Sequence, residues 1–220
     1  MTDTAISQDM LSSAAFFGRA AERLSLDVPP GLTDPTVVPR RGDHDSEEMM
    51  KAIAEVRPIK PAAVLVPIIE RDEPTILLTQ RTAHLRDHAG QIAFPGGKID
   101  AGDASPLAAA LREASEEIGL DESRIAPIGY LDLYMTRFGY RIVPVVARVR
   151  PDFTLLLNPA EVDDAFEVPL SFLMAPENHQ RHSREWNGGM RSFLAMPFGE
   201  RYIWGVTAGI LRNLYERIYQ

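Results

Sequence analysis

GGKIDAGDASPLAAALREASEEIGL, Gly96 to Leu120, is the stretch from which the rest of the chain can be read. It combines a tight glycine turn, a loop and one helix carrying a dense set of carboxylates. Ser105 suits the N-cap, Pro106 the first helical position and Gly119 the C-terminal stop. Leu107, Leu111, Ala114 and Ile118 recur at helical spacing and offer an apolar face for burial. Glu113 and Glu117 are four residues apart, hence roughly 40° apart around the axis and about 6 Å along it, with Glu116 beside them. Carboxylates this close repel one another unless a cation sits between them. A solvated acidic face is the plain alternative, and the neighbours argue against it. Arg112 precedes Glu116 by one helical turn and can orient it, while the Gly96-Gly97 pair lets backbone approach closely. Ligands made only of oxygen suit Mg2+ or Mn2+ rather than zinc. The residues point to a divalent-metal site.

At these residues the chain resembles the Nudix hydrolases, whose box reads G-x5-E-x7-R-E-U-x-E-E-x-G-U with U apolar. The segment REASEEIGL, Arg112 to Leu120, matches that box position for position. The front half departs from it: Asp103 stands where the first Glu belongs, and one extra residue separates it from Arg112. Coenzyme A pyrophosphatases of this superfamily carry the same Asp and the same longer spacing. Their box follows L-L-T-x-R-[SA]-x3-R-x3-G-x3-F-P-G-G. Leu77 to Gly97 reads LLTQRTAHLRDHAGQIAFPGG and agrees at every fixed position except Thr82, where the pattern has Ser or Ala. Looser similarity covers Asn158 to Leu170 and Tyr202 to Leu211.

The resemblance implies roles for particular residues. Glu113 and Glu117 become the principal metal ligands, with Glu116 a further ligand or a base. Glu161 is the first choice for an acid supplied by a later loop, and Glu167 the second. Arg81 and Arg86 can fork onto phosphate oxygens, an ion pair with the box acids being the competing reading. Gly96, Gly97 and Lys98 complete the substrate-binding set, although Lys98 could equally be solvated. His84 and His88 read as hydrogen-bonded loop residues, and Tyr202 and Trp204 as core.

The chain has 220 residues, 45% hydrophobic and 25% charged, enough for one sizeable core with an extension. Its formal net charge of −8 argues against a general nucleic-acid binder without excluding an anionic small substrate. There is no Cys, so disulfides and thiolate chemistry are excluded. No run has the length of a membrane span and the start MTDTAISQDM lacks a secretory pattern, so the cytoplasm is the expected compartment.

Residues 1–60 read as a partly helical N-terminal extension, and 61–220 as the catalytic domain. Within the extension Leu11, Ala14, Phe17, Ala21 and Leu24 mark one helical face, Asp27 to Asp45 reads as loop, and SEEMMKAIAEV from Ser46 as a second helix. The extension either packs on the core or is disordered, the sharper alternative being that it docks at the substrate mouth or on a second copy in a homodimer. Strands are expected at AAVLVPII, TILLTQR, QIAF, Ala126 to Tyr134, Arg141 to Val149 and Phe166 to Val168. A short helix near Leu170 to Met174 follows the last of these. A final helix after Gly205 carries Val206, Ile210, Leu214 and Ile218 on one stripe. The pattern is α+β, an α/β/α sandwich with a mixed sheet between helices, the architecture the Nudix resemblance implies.

Three functions fit these residues. The first is metal-dependent hydrolysis of the diphosphate of coenzyme A and acyl-CoA to adenosine 3′,5′-bisphosphate and (acyl-)4′-phosphopantetheine, the activity the resemblance implies. The second keeps the chemistry but takes ADP-ribose or another nucleoside diphosphate derivative. The third is a non-catalytic nucleotide reader, disfavoured because all three box acids are retained.

Overall fold

The computed structural model describes residues 6–44, 47–84, 88–186 and 189–220. Among these described residues nine strands make one mixed sheet: β1 (Arg41–Gly42), β2 (Lys60–Ile69), β3 (Thr75–Arg81), β4 (Ile92–Ala93), β5 (Gly96–Lys98), β6 (Ile125–Tyr130), β7 (Tyr134–Met135), β8 (Tyr140–Val149) and β9 (Val162–Pro169). The order runs β1-β7-β8-β2-β3-β4, with β5 also on β2, β6 on β8 and β9 on β3. The helices are α1 (Ser13–Arg23), α2 (Glu47–Ala54), α3 (Pro106–Ile118), α4 (Leu170–Leu173) and α5 (Val206–Tyr219).

β2 and β8 run parallel through ten paired positions, from Lys60↔Tyr140 to Ile69↔Val149. Both are almost wholly apolar because both faces of the sheet are covered. Val66 and Ile68 join Phe16, Ala20, Leu211 and Leu214 in the core on one side. Ala63, Leu65 and Ile69 meet Ala109, Ala110, Ala114 and Ile118 on the other. The sheet therefore lies between α1 with α5 and α3, the expected sandwich.

The N-terminal segment is woven into this body. On α1 the buried stripe is Phe16 and Ala20, with Leu24 following the helix, one residue out of step with the expected Ala14–Phe17–Ala21 face. Arg23 and Arg217 each donate to the other's main-chain carbonyl, at 3.3 and 3.1 Å. Further along, β1 pairs parallel with β7, so residues 41–42 extend the central sheet.

Two expectations need correction. Gly96 and Gly97 do not form a bare turn but belong to β5, paired antiparallel with Val64 and Ala63. Three unexpected strands form a second, antiparallel sheet: β10 (Gln180–Trp186), β11 (Gly189–Phe198) and β12 (Arg201–Trp204). Met196 and Ile203 pack it onto the α5 side of the core. Only one face of this sheet is covered: Ala195, Met196 and Ile203 are buried, whereas Tyr202 is 42% exposed rather than core. Trp204, half-buried, stacks edge-on with Phe193 at 5.3 Å.

Candidate active site

Local chemistry sets α3 in place. Ser105 Oγ accepts the Ala108 N–H at 3.1 Å, Pro106 occupies the first turn, and Gly119 ends the helix in the left-handed region at φ 65°. Its buried stripe is Pro106, Ala109, Ala110, Ala114, Glu117 and Ile118, while Leu107 and Leu111 lie at its edge. Alanines along the contact let the helix approach the sheet closely. That approach carries Glu117 into the interior, with 3% of the residue exposed.

Glu117 is under-compensated there. Its Oε2 accepts the Gly96 N–H at 3.1 Å, and its Oε1 lies 3.7 Å from Arg81 Nη1. Burial pushes its pKa up to about 7 despite both partners, and the charges of Glu113 and Glu161 add to the rise. Burial also raises the pKa of Glu113, again with Glu161 contributing. The Glu113 carboxylate lies directly against Gly97, where any Cβ would overlap it, and a Cβ on Gly96, at φ 153°, would strike the backbone of β2.

The end of β3 ties these groups together. The register of β3 against β9 shifts between Gln80 and Arg81, a bulge that re-aims the side chains beyond it. Arg81 reaches Glu117, and the Thr82 N–H donates to the Glu161 carbonyl at 3.0 Å. Asn158 Nδ2 donates to Glu161 Oε1 at 3.3 Å. Glu161 thus sits where its charge is felt by both helix acids. Two buried polar atoms beside this junction have no hydrogen-bond partner among the described residues, Arg81 Nε and Thr82 Oγ1.

Arg112 organises the exposed flank. It forks onto Asp103 with two bonds of 3.0 Å, donates to Glu113 Oε1 and Glu116 Oε2 at 3.0 Å each, and reaches the Lys98 carbonyl at 3.2 Å. These acceptors hold its pKa above the ordinary range, and Arg112 in turn holds Asp103 below the usual carboxylate value. Asp103 is therefore the residue that fixes Arg112. Glu116 stands at the rim, its side chain 56% exposed.

The remaining expected residues fall as follows. Lys98 is exposed, and its main chain rather than its side chain contacts the network. Glu167 lies elsewhere, held by two bonds from Arg71 of 2.7 and 2.6 Å and by Thr75, all of which keep its pKa low. Arg86 lies outside the described residues. His88 Nδ1 bonds Gln91 Oε1 at 2.9 Å. Thr82 and Asn158 join the site although the sequence did not single them out; Thr82 carried the one signal available, as the departure from the Leu77–Gly97 pattern.

Among the described residues, no three acids stand close enough to enclose a metal ion as arranged here, and Arg112 bonds Glu113 and Glu116. The donor set still fits a hard divalent cation. Glu117, Glu113 and Glu161 are oxygen donors; the charges of Glu113 and Glu161 raise the proton affinity of Glu117, and a +2 charge would relieve what Arg81 and one N–H leave unmet.

A NUDIX-domain family model matches residues 59–187. The chain is similar to an uncharacterized Nudix hydrolase, NudL, of Escherichia coli K12, with 41% identity over 157 residues covering 71% of this chain and 82% of the relative. Among solved structures it resembles a Caenorhabditis elegans Ap4A hydrolase binary complex, at 21% identity and a TM-score of 0.43 over 50% of this chain and 80% of that one. It also resembles DR0079 of Deinococcus radiodurans, at 15% identity and a TM-score of 0.47 over 76% of this chain and 89% of that one.

Proposed function

From the premise that the chain belongs to the Nudix family and is a hydrolase of phosphorus-containing anhydrides, we propose that it cleaves the diphosphate of coenzyme A and its acyl thioesters. The observation that carries this reading is the meeting of two motifs at one place. The Leu77–Gly97 segment that resembles the coenzyme A subgroup delivers Arg81 and the Gly96 N–H onto Glu117 of the box helix.

Water attacks one phosphorus, the bridging P–O bond breaks, and one proton is lost from the attacking water. The products are adenosine 3′,5′-bisphosphate and (acyl-)4′-phosphopantetheine. Glu113, Glu117 and Glu161, with Glu116 at the rim, would hold Mg2+ or Mn2+. Such an ion, when bound, screens the diphosphate charge and lowers the pKa of water. Arg81 neutralises phosphate oxygens and orients them beside Glu117. Glu161, braced by Asn158 and Thr82, receives the proton from water. Arg112, fixed by Asp103, keeps Glu113 and Glu116 in register without touching substrate.

The test is a substrate panel: pure protein with Mg2+ or Mn2+, coenzyme A, acyl-CoA and ADP-ribose side by side, products identified by mass. Coenzyme A is expected to be cleaved at the diphosphate with kcat/KM at least tenfold above ADP-ribose. The reverse order would transfer the function to a nucleoside diphosphate derivative. Intact diphosphates with a nucleotide-raised melting temperature would leave only a reader.

A further inference from the structure

The geometry points to Phe138, with His88 across from it and Arg137 beside it, as the platform on which the purine ring of the substrate stacks; this rests on the reading of the substrate as an adenine nucleotide. Phe138 stands at the tip of the β7–β8 connection and is 52% exposed. Its ring meets the His88 ring edge-on at 6.4 Å and 77°, and the Arg137 guanidinium lies 5.9 Å from the Phe138 centroid. An exposed phenyl ring flanked by an imidazole and a guanidinium is the equipment that base stacking uses.

The tip is held firmly although its apolar side chain faces solvent. Gly139 takes φ 82°, a left-handed value that suits the tight reversal. Thr136 N–H donates to the Tyr140 carbonyl at 2.9 Å, Gly139 N–H to the Thr136 carbonyl at 3.1 Å, and Lys60 N–H to the Gly139 carbonyl at 2.8 Å. Asp43, from the N-terminal segment, accepts the Tyr134 hydroxyl at 3.0 Å and the Arg137 N–H at 3.3 Å. Residues 41–43 thus brace the hairpin that presents the ring. Such a fixed backbone lowers the ordering cost of binding a flat ligand.

Two observations put this pair at the same end of the sheet as the acid site. His88 belongs to the β3–β4 connection, at whose start Arg81, the last residue of β3, contacts Glu117 and Thr82 contacts Glu161. In addition, β2 and β8 begin side by side at Lys60 and Tyr140, and the Gly97↔Ala63 pairing lies three residues into β2. Phe138 therefore stands off the same end of the sheet that carries Glu113 against Gly97.

The experiment uses the full chain and three variants, with AMP and imidodiphosphate as competing ligands. Phe138→Ala is expected to raise KM for coenzyme A and the AMP inhibition constant about tenfold. In that variant kcat moves far less, and imidodiphosphate inhibition is unchanged. His88→Ala shifts the same two constants by a smaller factor. Phe138→Trp keeps KM within about twofold, and its added indole emission is quenched saturably by AMP but not by ribose 5-phosphate. AMP inhibition within twofold of wild type in Phe138→Ala, or indole emission indifferent to AMP, overturns the platform. Quenching is read without turnover, so saturable quenching in a protein that cleaves no diphosphate would discard the catalytic reading and keep the platform.

Discussion

Strands β3 and β9 pair along their length, and their two ends treat a carboxylate in opposite ways. At the far end Glu167 receives a fork from Arg71 and a hydroxyl from Thr75, and its pKa falls. At the near end Glu117 is more deeply buried yet has one N–H and an arginine at 3.7 Å, and its pKa rises to about 7. Among the described residues, Arg81 Nε and Thr82 Oγ1 also have no partner there. One end is a closed ion pair that holds strands together. The other keeps under-compensated charge beside the glycines of β5, the condition a site meets when it is built for a charged ligand rather than for stability.

The sharpest way to break this contrast is to exchange the two acids for amides. Glu117→Gln is expected to lower kcat by roughly a thousandfold, as does removal of one preorganised electrostatic group, while leaving the metal-free protein as stable as before or more so. Glu167→Gln should do the reverse, with kcat within about twofold and a loss of about 1 kcal/mol in denaturant unfolding, since the Arg71 pair is partly solvent-screened. Comparable kinetic losses in both variants would erase the distinction.

A second effect concerns pH. Glu117 titrates near 4.5 when unfolded and about 7 when folded, so the folded chain binds that proton more tightly. Stability of the metal-free protein should therefore fall as pH rises from about 4.5 to 7, by roughly 3 kcal/mol at most, and level off above. Mg2+ or Mn2+ at pH 8 should restore it. Chemical unfolding across that range checks the slope, which Glu117→Gln should flatten. A smaller loss, roughly ten- to a hundredfold in kcat/KM, is expected for Asp103→Asn, because Arg112 would lose its anchor while the acids remain. Smallest of all, Tyr202→Ala should change kcat/KM by less than twofold, since that exposed ring belongs to the small sheet and bonds His182.

How far the sequence carried this account depends on the scale of the signal. Helix α3 was legible with its cap and stop because Ser105, Pro106 and Gly119 each act within a few residues. β2, β3 and β8 were legible from apolar runs. Glu117 could be chosen as a ligand but not seen to be buried, because the Leu107–Leu111 pattern masked a closer contact along Ala110 and Ala114. Glu161 was placed by motif similarity; only the folded chain brings it to Glu113 and Glu117, forty-odd residues away in sequence. The three-stranded sheet escaped notice because its strands mix charged and apolar residues, although Asn187-Gly188 is a hairpin-type dipeptide. Asp43 and Phe138 meet through long-range pairing that no local pattern announces.

Calorimetric titration of Mn2+ into the metal-free protein at pH 8 puts the greatest strain on this picture. Wild type and Glu167→Gln should bind it with matching affinity, and Glu117→Gln should bind at least tenfold more weakly. Equal uptake by all three proteins, or no uptake by wild type, would show that the buried acids at the near end of β3 serve no metal.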